Sequence, residues 1–224
     1  MPLRLPCLEL LYWVACVTSP PPRHLTDLAL LTANDLAAFR GERLVFSHLG
    51  FFVPEGGALL LAGPNGSGKS TLLRVLAGLA RAEAGHLIWN GVNALADRVE
   101  HASRVAYVGH LDAIKPGLTV LENLAAPGAV ARAALARLGV ESLAELPARM
   151  LSAGQRRRVA LSRLALTAAP LWLLDEPTLG VDAASVDSLG VLLAEHRARG
   201  GIVIAATHLP LPLPAAATLT LIPA

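Results

Sequence analysis

The chain has 224 residues, of which 54% are apolar and only 16% charged, and its formal net charge is +2. That length accommodates one large α/β domain with room for a small lobe, and is too short for two domains of that size. So small a net charge gives no electrostatic ground for a nucleic-acid partner, and Lys69 and Lys115 are the only lysines. The high apolar fraction predicts that some apolar surface meets a partner protein.

Residues 1–33 carry an apolar run, Leu5 to Val17, that contains Glu9 and is followed by Pro20-Pro21-Pro22. The run is too short to span a bilayer and lacks the charged start and small-residue cleavage pattern of a signal peptide. We read residues 1–33 as an extension of unassigned role, disordered or a misassigned start, and residues 34–224 as the domain. Both cysteines, Cys7 and Cys16, fall in the extension, so the domain is expected to hold neither a disulfide framework nor a thiolate metal site. From Asp35 to Val53, short apolar runs alternate with charged and glycine positions, which predicts an antiparallel β element. Ala58 to Ala62 predicts a buried strand, and apolar residues at 72, 75, 76 and 79 predict a helix with one buried stripe. Gly85 to Trp89, closed by the turn pair Asn90-Gly91, and Arg104 to Val108 read as further strands.

Beyond Lys115-Pro116-Gly117 the pattern turns helical. Thr119 and Glu122 have the spacing of a capping box, Ala129 to Leu138 predicts a helix closed by Gly139, and a shorter helix is expected near Ser142 to Leu146. Residues from about 112 to 167 thus read as a small helical lobe inserted into the α/β core. The core resumes in two apolar strands, Leu171 to Leu174 and Ile202 to Ala206, joined by a crossover helix from Ala183 to Arg199. Gly200 to Ala224 is apolar, but Pro210, Pro212, Pro214 and Pro223 break any helix long enough to cross a membrane, and a cytoplasmic chain is expected.

Gly63-Pro64-Asn65-Gly66-Ser67-Gly68-Lys69-Ser70 fits the phosphate-binding loop pattern, with the required strand before it and helix after it. The glycines let successive N–H groups turn inward onto phosphate oxygens, and the helix start adds the positive end of its dipole. Lys69 would neutralise the β- and γ-phosphates, Ser70 would offer its hydroxyl to Mg²⁺, and Thr71 can bond a neighbouring phosphate. A glycine-rich turn with a solvated lysine is the alternative, and the strand–loop–helix setting disfavours it. The strand Leu171 to Leu174 runs into Asp175-Glu176, at the strand end where α/β sheets bind ligands. Asp175 can hold Mg²⁺ through water, and Glu176 can polarise an attacking water, because phosphoryl transfer depends on positioning. Surface acids at a strand end are the plainer reading of this pair.

Leu151-Ser152-Ala153-Gly154-Gln155 precedes an arginine-rich helix, Arg156 to Leu164, and here the chain resembles the ATP-binding subunits of ATP-binding-cassette (ABC) transporters. The family signature is Leu-Ser-Gly-Gly-Gln; Ala153 replaces its first glycine, and Ser152 with Gln155 also has the spacing of a capping box. The resemblance implies that Ser152 and the N–H groups at Ala153 and Gly154 grip the γ-phosphate of a nucleotide bound to a second subunit. It implies that His208, after the last apolar strand, contacts that phosphate and holds Glu176 in line, and that Asp182 belongs to a loop crossing the dimer interface. Asp182 could equally cap the helix that begins at Ala183. His110 stands where most of the family carries a glutamine that contacts Mg²⁺, a departure that leaves the metal contact open. For the adenine-stacking group, spacing offers Phe39 or Arg40.

Within the family, Tyr107 to Lys115, the alanine-containing signature and the short tail after His208 look like the haem exporter of cytochrome c maturation. The implied fold is α/β, a P-loop NTPase of the ABC nucleotide-binding type with an inserted helical lobe and an antiparallel β element near its amino terminus. The implied activity is ATP hydrolysis with Mg²⁺ by a homodimer. The dimer would lie at the cytoplasmic face of the bacterial inner membrane on the integral membrane proteins of cytochrome c maturation. Direct haem binding is not expected, since there is no Cys-x-x-Cys-His run. The ATP-binding subunit of another ABC exporter or importer is the alternative, ahead of a soluble ABC-type ATPase.

Overall fold

The computed structural model describes residues 29–222. Cys7, Cys16, the run from Leu5 to Val17 and Pro223 lie outside the described residues. In chain order the strands are β1 (Ala29–Arg40), β2 (Arg43–Pro54), β3 (Ala58–Ala62), β4 (Ala84–Trp89), β5 (Val92–Asn93), β6 (Val105–Val108), β7 (Leu171–Asp175), β8 (Ile202–Ala206) and β9 (Ala217–Thr220). The α-helices are α1 (Lys69–Leu76), α2 (Arg98–Ser103), α3 (Val120–Leu124), α4 (Gly128–Arg137), α5 (Ala153–Ser162) and α6 (Ala183–Ala198).

Two sheets divide the strands. The antiparallel sheet runs β2-β1-β4-β5 and the second runs β6-β7-β8-β3-β9 with every pair parallel. The antiparallel element therefore forms as the alternating pattern of residues 35–53 predicts, but it starts earlier than residue 34. Leu31 pairs with Val53 on one side and Trp89 on the other and is fully buried. Residues 29–33 thus belong to the domain; their apolar run had merged, by composition, with the greasy extension before it.

Strands β7 and β8 are buried at every position, as near-continuous apolar runs require when both faces of a parallel sheet are covered. Their side chains alternate between two cores. Leu171, Leu173, Ile202 and Ile204 join Leu31, Phe46 and Leu72 beneath the antiparallel sheet and α1. Trp172, Leu174, Val203 and Ala205 join Leu135, Leu161 and Leu193 beneath the helical layer. On that second face Trp172 stacks on His196 of α6, with ring centroids 3.8 Å apart and planes 10° from parallel. Gly201 leaves room for this stack, because a Cβ there would fall 2.2 Å from the imidazole.

The register of the parallel sheet positions the site. Ala206 pairs with Leu61 on one side and Asp175 on the other, so β3, β7 and β8 end abreast and deliver their loops to one edge. Four features differ from the sequence expectation. α1 closes at Ala77 and Gly78, leaving Leu79 outside the helix and exposed. α2, capped by Asp97, is too polar to show an apolar stripe, and β9 lies in the proline-rich tail as a short edge strand on β3. Between Glu141 and Leu143 the chain makes a 3-10 turn where a helix near residues 142–146 was expected.

Candidate functional site

The glycine-rich loop crosses from β3 to α1 and is packed against β2. Gly68 has φ of 100°, and a Cβ there would stand 2.4 Å from Val45 Cγ1, so both the turn and the approach of β2 require glycine. Lys69 is buried, and its Nζ donates to Gly63 O at 2.7 Å and Pro64 O at 3.0 Å. The ammonium is thereby held along its own loop at the mouth of a cleft of about 380 Å³. Asn65, Gly66, Gly68, Lys69, Ser70 and Thr71 line the cleft together with Asp175, Glu176, His110 and His208. Ser67 is buried beneath the loop.

Asp175 is 2% exposed, and its Oδ2 has no hydrogen-bond partner among the described residues. A buried carboxylate oxygen left free is costly unless something binds it. With the Ser70 hydroxyl lining the same cleft, the donors are hard oxygens of the kind Mg²⁺ takes. Glu176 follows in a left-handed conformation, φ 50°, that costs a non-glycine residue about 1–3 kcal/mol and is found where structure over-determines it. Its N–H donates to Ala206 O at 2.8 Å, and its carboxylate accepts the His208 backbone N–H at 3.2 Å. The His208 ring lies 3.6 Å from the same carboxylate through Nε2. The strained residue thus turns its carboxylate across the strand ends toward the histidine.

The helix α5 opens with both capping-box bonds made: Ser152 Oγ accepts the Gln155 N–H at 3.2 Å, and Gln155 Oε1 accepts the Ser152 N–H at 2.8 Å. Ala153 is exposed at the first helical position. The resemblance brings the Gly154 N–H against a phosphate, which would itself favour a glycine. Within the chain the demand comes from another quarter, since a Cβ at Gly154 would lie 2.5 Å from Gly180 O. Asp182 caps α6, accepting the Ser185 N–H at 2.9 Å, and that bond holds its carboxyl below the usual carboxylate range. Neither Asp182 nor Ser152, Ala153, Gly154 and Gln155 lines the cleft of their own chain.

Of the two residues offered for the nucleobase, Arg40 lines the cleft, together with Arg43 and Val45; Phe39 does not, and it is 48% exposed. His110 lines the cleft, is exposed, and also borders a groove running past Leu111, Asp112 and Ala113 toward the helical lobe. The residue that sequence reasoning missed is Arg157. Three arginines follow the signature, and only the middle one is buried, 5% exposed, with its guanidinium spent on the loops after β6 and β7. Nothing in residue type separates it from its neighbours; only its place on α5 does.

Comparison with known proteins agrees with this geometry. Residues 46–179 match the ABC transporter family. The chain is 50% identical over 201 residues to a cytochrome c biogenesis ATP-binding export protein CcmA from Paramagnetospirillum magneticum, covering 85% of this chain and 93% of that one. It is 51% identical over 200 residues to the protein of that name from Rhodospirillum rubrum, covering 86% of each. Among solved structures it is similar to the ADP conformation of an ATP-binding cassette of an ABC transporter, with a TM-score of 0.68 at 24% identity over 81% of this chain and 82% of that one. A nucleotide-free ATP-binding cassette from an ABC transporter matches with a TM-score of 0.70 at 23% identity over 80% and 81%. The chain belongs to the ABC transporter ATP-binding family and, within it, to the cytochrome c biogenesis ATP-binding export proteins.

Proposed function

We propose that the chain is the ATP-hydrolysing subunit of the haem exporter of cytochrome c-type biogenesis, a peripheral protein at the cytoplasmic face of the bacterial inner membrane. The observation that carries the chemistry is the convergence of Lys69, Ser70, Asp175, Glu176 and His208 on one cleft. Gly63 to Thr71 hold the phosphates of ATP, Ser70 and Asp175 hold Mg²⁺, and bound Mg²⁺ supplies charge neutralisation of the phosphate oxygens. Glu176 orients the attacking water, and His208 keeps the Glu176 carboxylate in line while facing the γ-phosphate.

Because Ser152, Ala153, Gly154 and Gln155 stand outside their own chain's cleft, the reading places them on the nucleotide of a second copy, with Asp182 at the dimer interface. Closure of the dimer on ATP and its release after hydrolysis then form a ligand-biased two-state cycle. His110, shared between the cleft and the groove toward the helical lobe, passes that cycle to the integral membrane proteins of cytochrome c maturation. The outcome is release of haem from its periplasmic chaperone, with no haem bound by this chain.

The test is purification from native membranes with identification of co-purifying subunits and assay of ATPase activity in the same fraction. Recovery of the cytochrome c maturation membrane proteins is expected. A different permease would move the cargo elsewhere, and absence of any membrane partner would overturn the exporter reading. Glu176→Gln is expected to retain ATP and accumulate a closed dimer, and unchanged turnover in that variant would remove Glu176 from its role.

A further inference from the structure

Arg157 projects from α5 into the core and spends all three guanidinium nitrogens on groups from other elements. Nη2 donates to Asp175 O at 2.5 Å and Glu176 O at 2.8 Å, and Nε donates to Pro177 O at 3.4 Å. Nη1 donates to Gly109 O at 2.8 Å and to Asp112 Oδ1 at 3.0 Å. A buried cation is tolerated only when its donors are satisfied, and here four of the five acceptors are main-chain carbonyls. Those carbonyls belong to the two segments that carry Asp175, Glu176 and His110. Beside its one ion pair with Asp112, such a pattern fixes backbone.

Glu176 is the residue on which this bears. Its φ of 50° is unfavourable, and without outside bonds the chain would relax toward a commoner conformation. Two bonds from Arg157 hold the carbonyls of Asp175 and Glu176, while Ala206 O holds the Glu176 N–H from the other side. We infer that Arg157 is a positioning residue for ATP hydrolysis: it locks Glu176 in its left-handed conformation and ties the signature helix to that residue and to the segment before His110. Because α5 also carries Ser152 and Gly154 at its start, displacement of that helix by a second subunit is transmitted directly to the Glu176 carboxylate. This rests on the reading of Glu176 as the group that orients water.

The test is steady-state ATPase kinetics of the full chain with Arg157→Lys and Arg157→Gln, beside Glu176→Gln and the double variant. Lysine keeps the charge but cannot present donors in a planar fork, so it is not expected to rescue. Both Arg157 variants are expected to lose about 10- to 100-fold in kcat, the scale of a misplacement of about 1 Å, with KM for ATP changed by less than about threefold. Since Arg157 acts through Glu176, adding Arg157→Lys to Glu176→Gln is expected to cost little more. Full turnover in Arg157→Lys, a KM rising in step with the fall in kcat, or a full multiplicative loss in the double variant would overturn the inference. If Glu176→Gln itself keeps its turnover, the assignment of Glu176 falls instead, and the two failures are distinguished in one experiment.

Discussion

Gly154→Ala isolates the link between the signature helix and the loop ahead of α6. The added methyl carbon would stand 2.5 Å from Gly180 O, a backbone atom that cannot rotate away as the end of a side chain could. Carbon–oxygen contacts settle at about 3.3 Å or more, so α5 and the loop around Gly180 must part by about 0.8 Å. Overpacking of this kind costs about 1–3 kcal/mol, and for a domain of this size each kcal/mol lowers Tm by about 2–4 °C. The same displacement moves Ser152 and the first α5 amides off their aim, which predicts a fall in kcat of about 10- to 100-fold. KM for ATP should stay within about threefold, since Lys69, Ser70 and Thr71 stand together on α1, apart from α5, and keep their geometry. A coupled ATPase assay with calorimetry on the same preparation measures both effects. Ala153→Gly serves as the control, because Ala153 is exposed at the first position of α5. Wild-type kcat together with wild-type Tm in Gly154→Ala would refute the reasoning.

Removing the Ser152 hydroxyl deprives the Gln155 N–H of its acceptor, so Ser152→Ala should cost about 1 kcal/mol in thermal unfolding. Ser152→Asp keeps a cap and should recover the stability but not the turnover, because a carboxylate repels phosphate; equal turnover in Asp and Ser would restrict Ser152 to capping. Arg40→Ala should weaken ATP about 3- to 30-fold in equilibrium titration, the range of one cation–π contact, and Phe39→Ala should leave affinity unchanged, since only Arg40 lines the cleft. Burial against Trp172 pushes the His196 imidazole below its usual pKa, so the unfolded chain takes up its proton first as pH falls. This contribution to stability is complete above about pH 6.5 and declines on acidification until the native imidazole also titrates. Urea midpoints between pH 5 and pH 8 should show that decline, and His196→Phe, which keeps a flat ring on Trp172, should flatten it.

The parts of the fold legible in sequence were those whose cause is local. A glycine-rich loop between a buried strand and an amphipathic helix announces itself because each residue answers to its neighbours along the chain, and Thr119 with Glu122 formed its capping box for the same reason. Buried strands β7 and β8 could be read from unbroken apolar runs. What escaped was anything set by partners distant in sequence. β9 is four residues of modest strand preference, ordered by pairing with β3 across more than half the chain. The family resemblance gives the Gly154 N–H a phosphate to grip, whereas its nearest steric constraint is Gly180 O in a loop reached only after α5 and β7.

Arg157 makes the same point for chemistry. Successive residues on a helix are rotated by about 100°, so three consecutive arginines cannot share a fate. Arg156 turns back to Leu151 O, Arg158 reaches Ser185 and Asp182 at the start of α6, and Arg157 alone enters the core. Their common charge reads as a solvated basic face until the acceptors are in view, and those acceptors are carbonyls, which no sequence displays. The acid proposed to orient the water is therefore legible after a strand, whereas the side chain that bonds its strained backbone is legible only once Asp175, Glu176, Pro177 and Gly109 are seen to converge on one guanidinium. On the proposed role of Glu176, the site's geometry rests on three segments tied at one side chain, and its sensitivity to substitution should follow those ties rather than distance from the cleft.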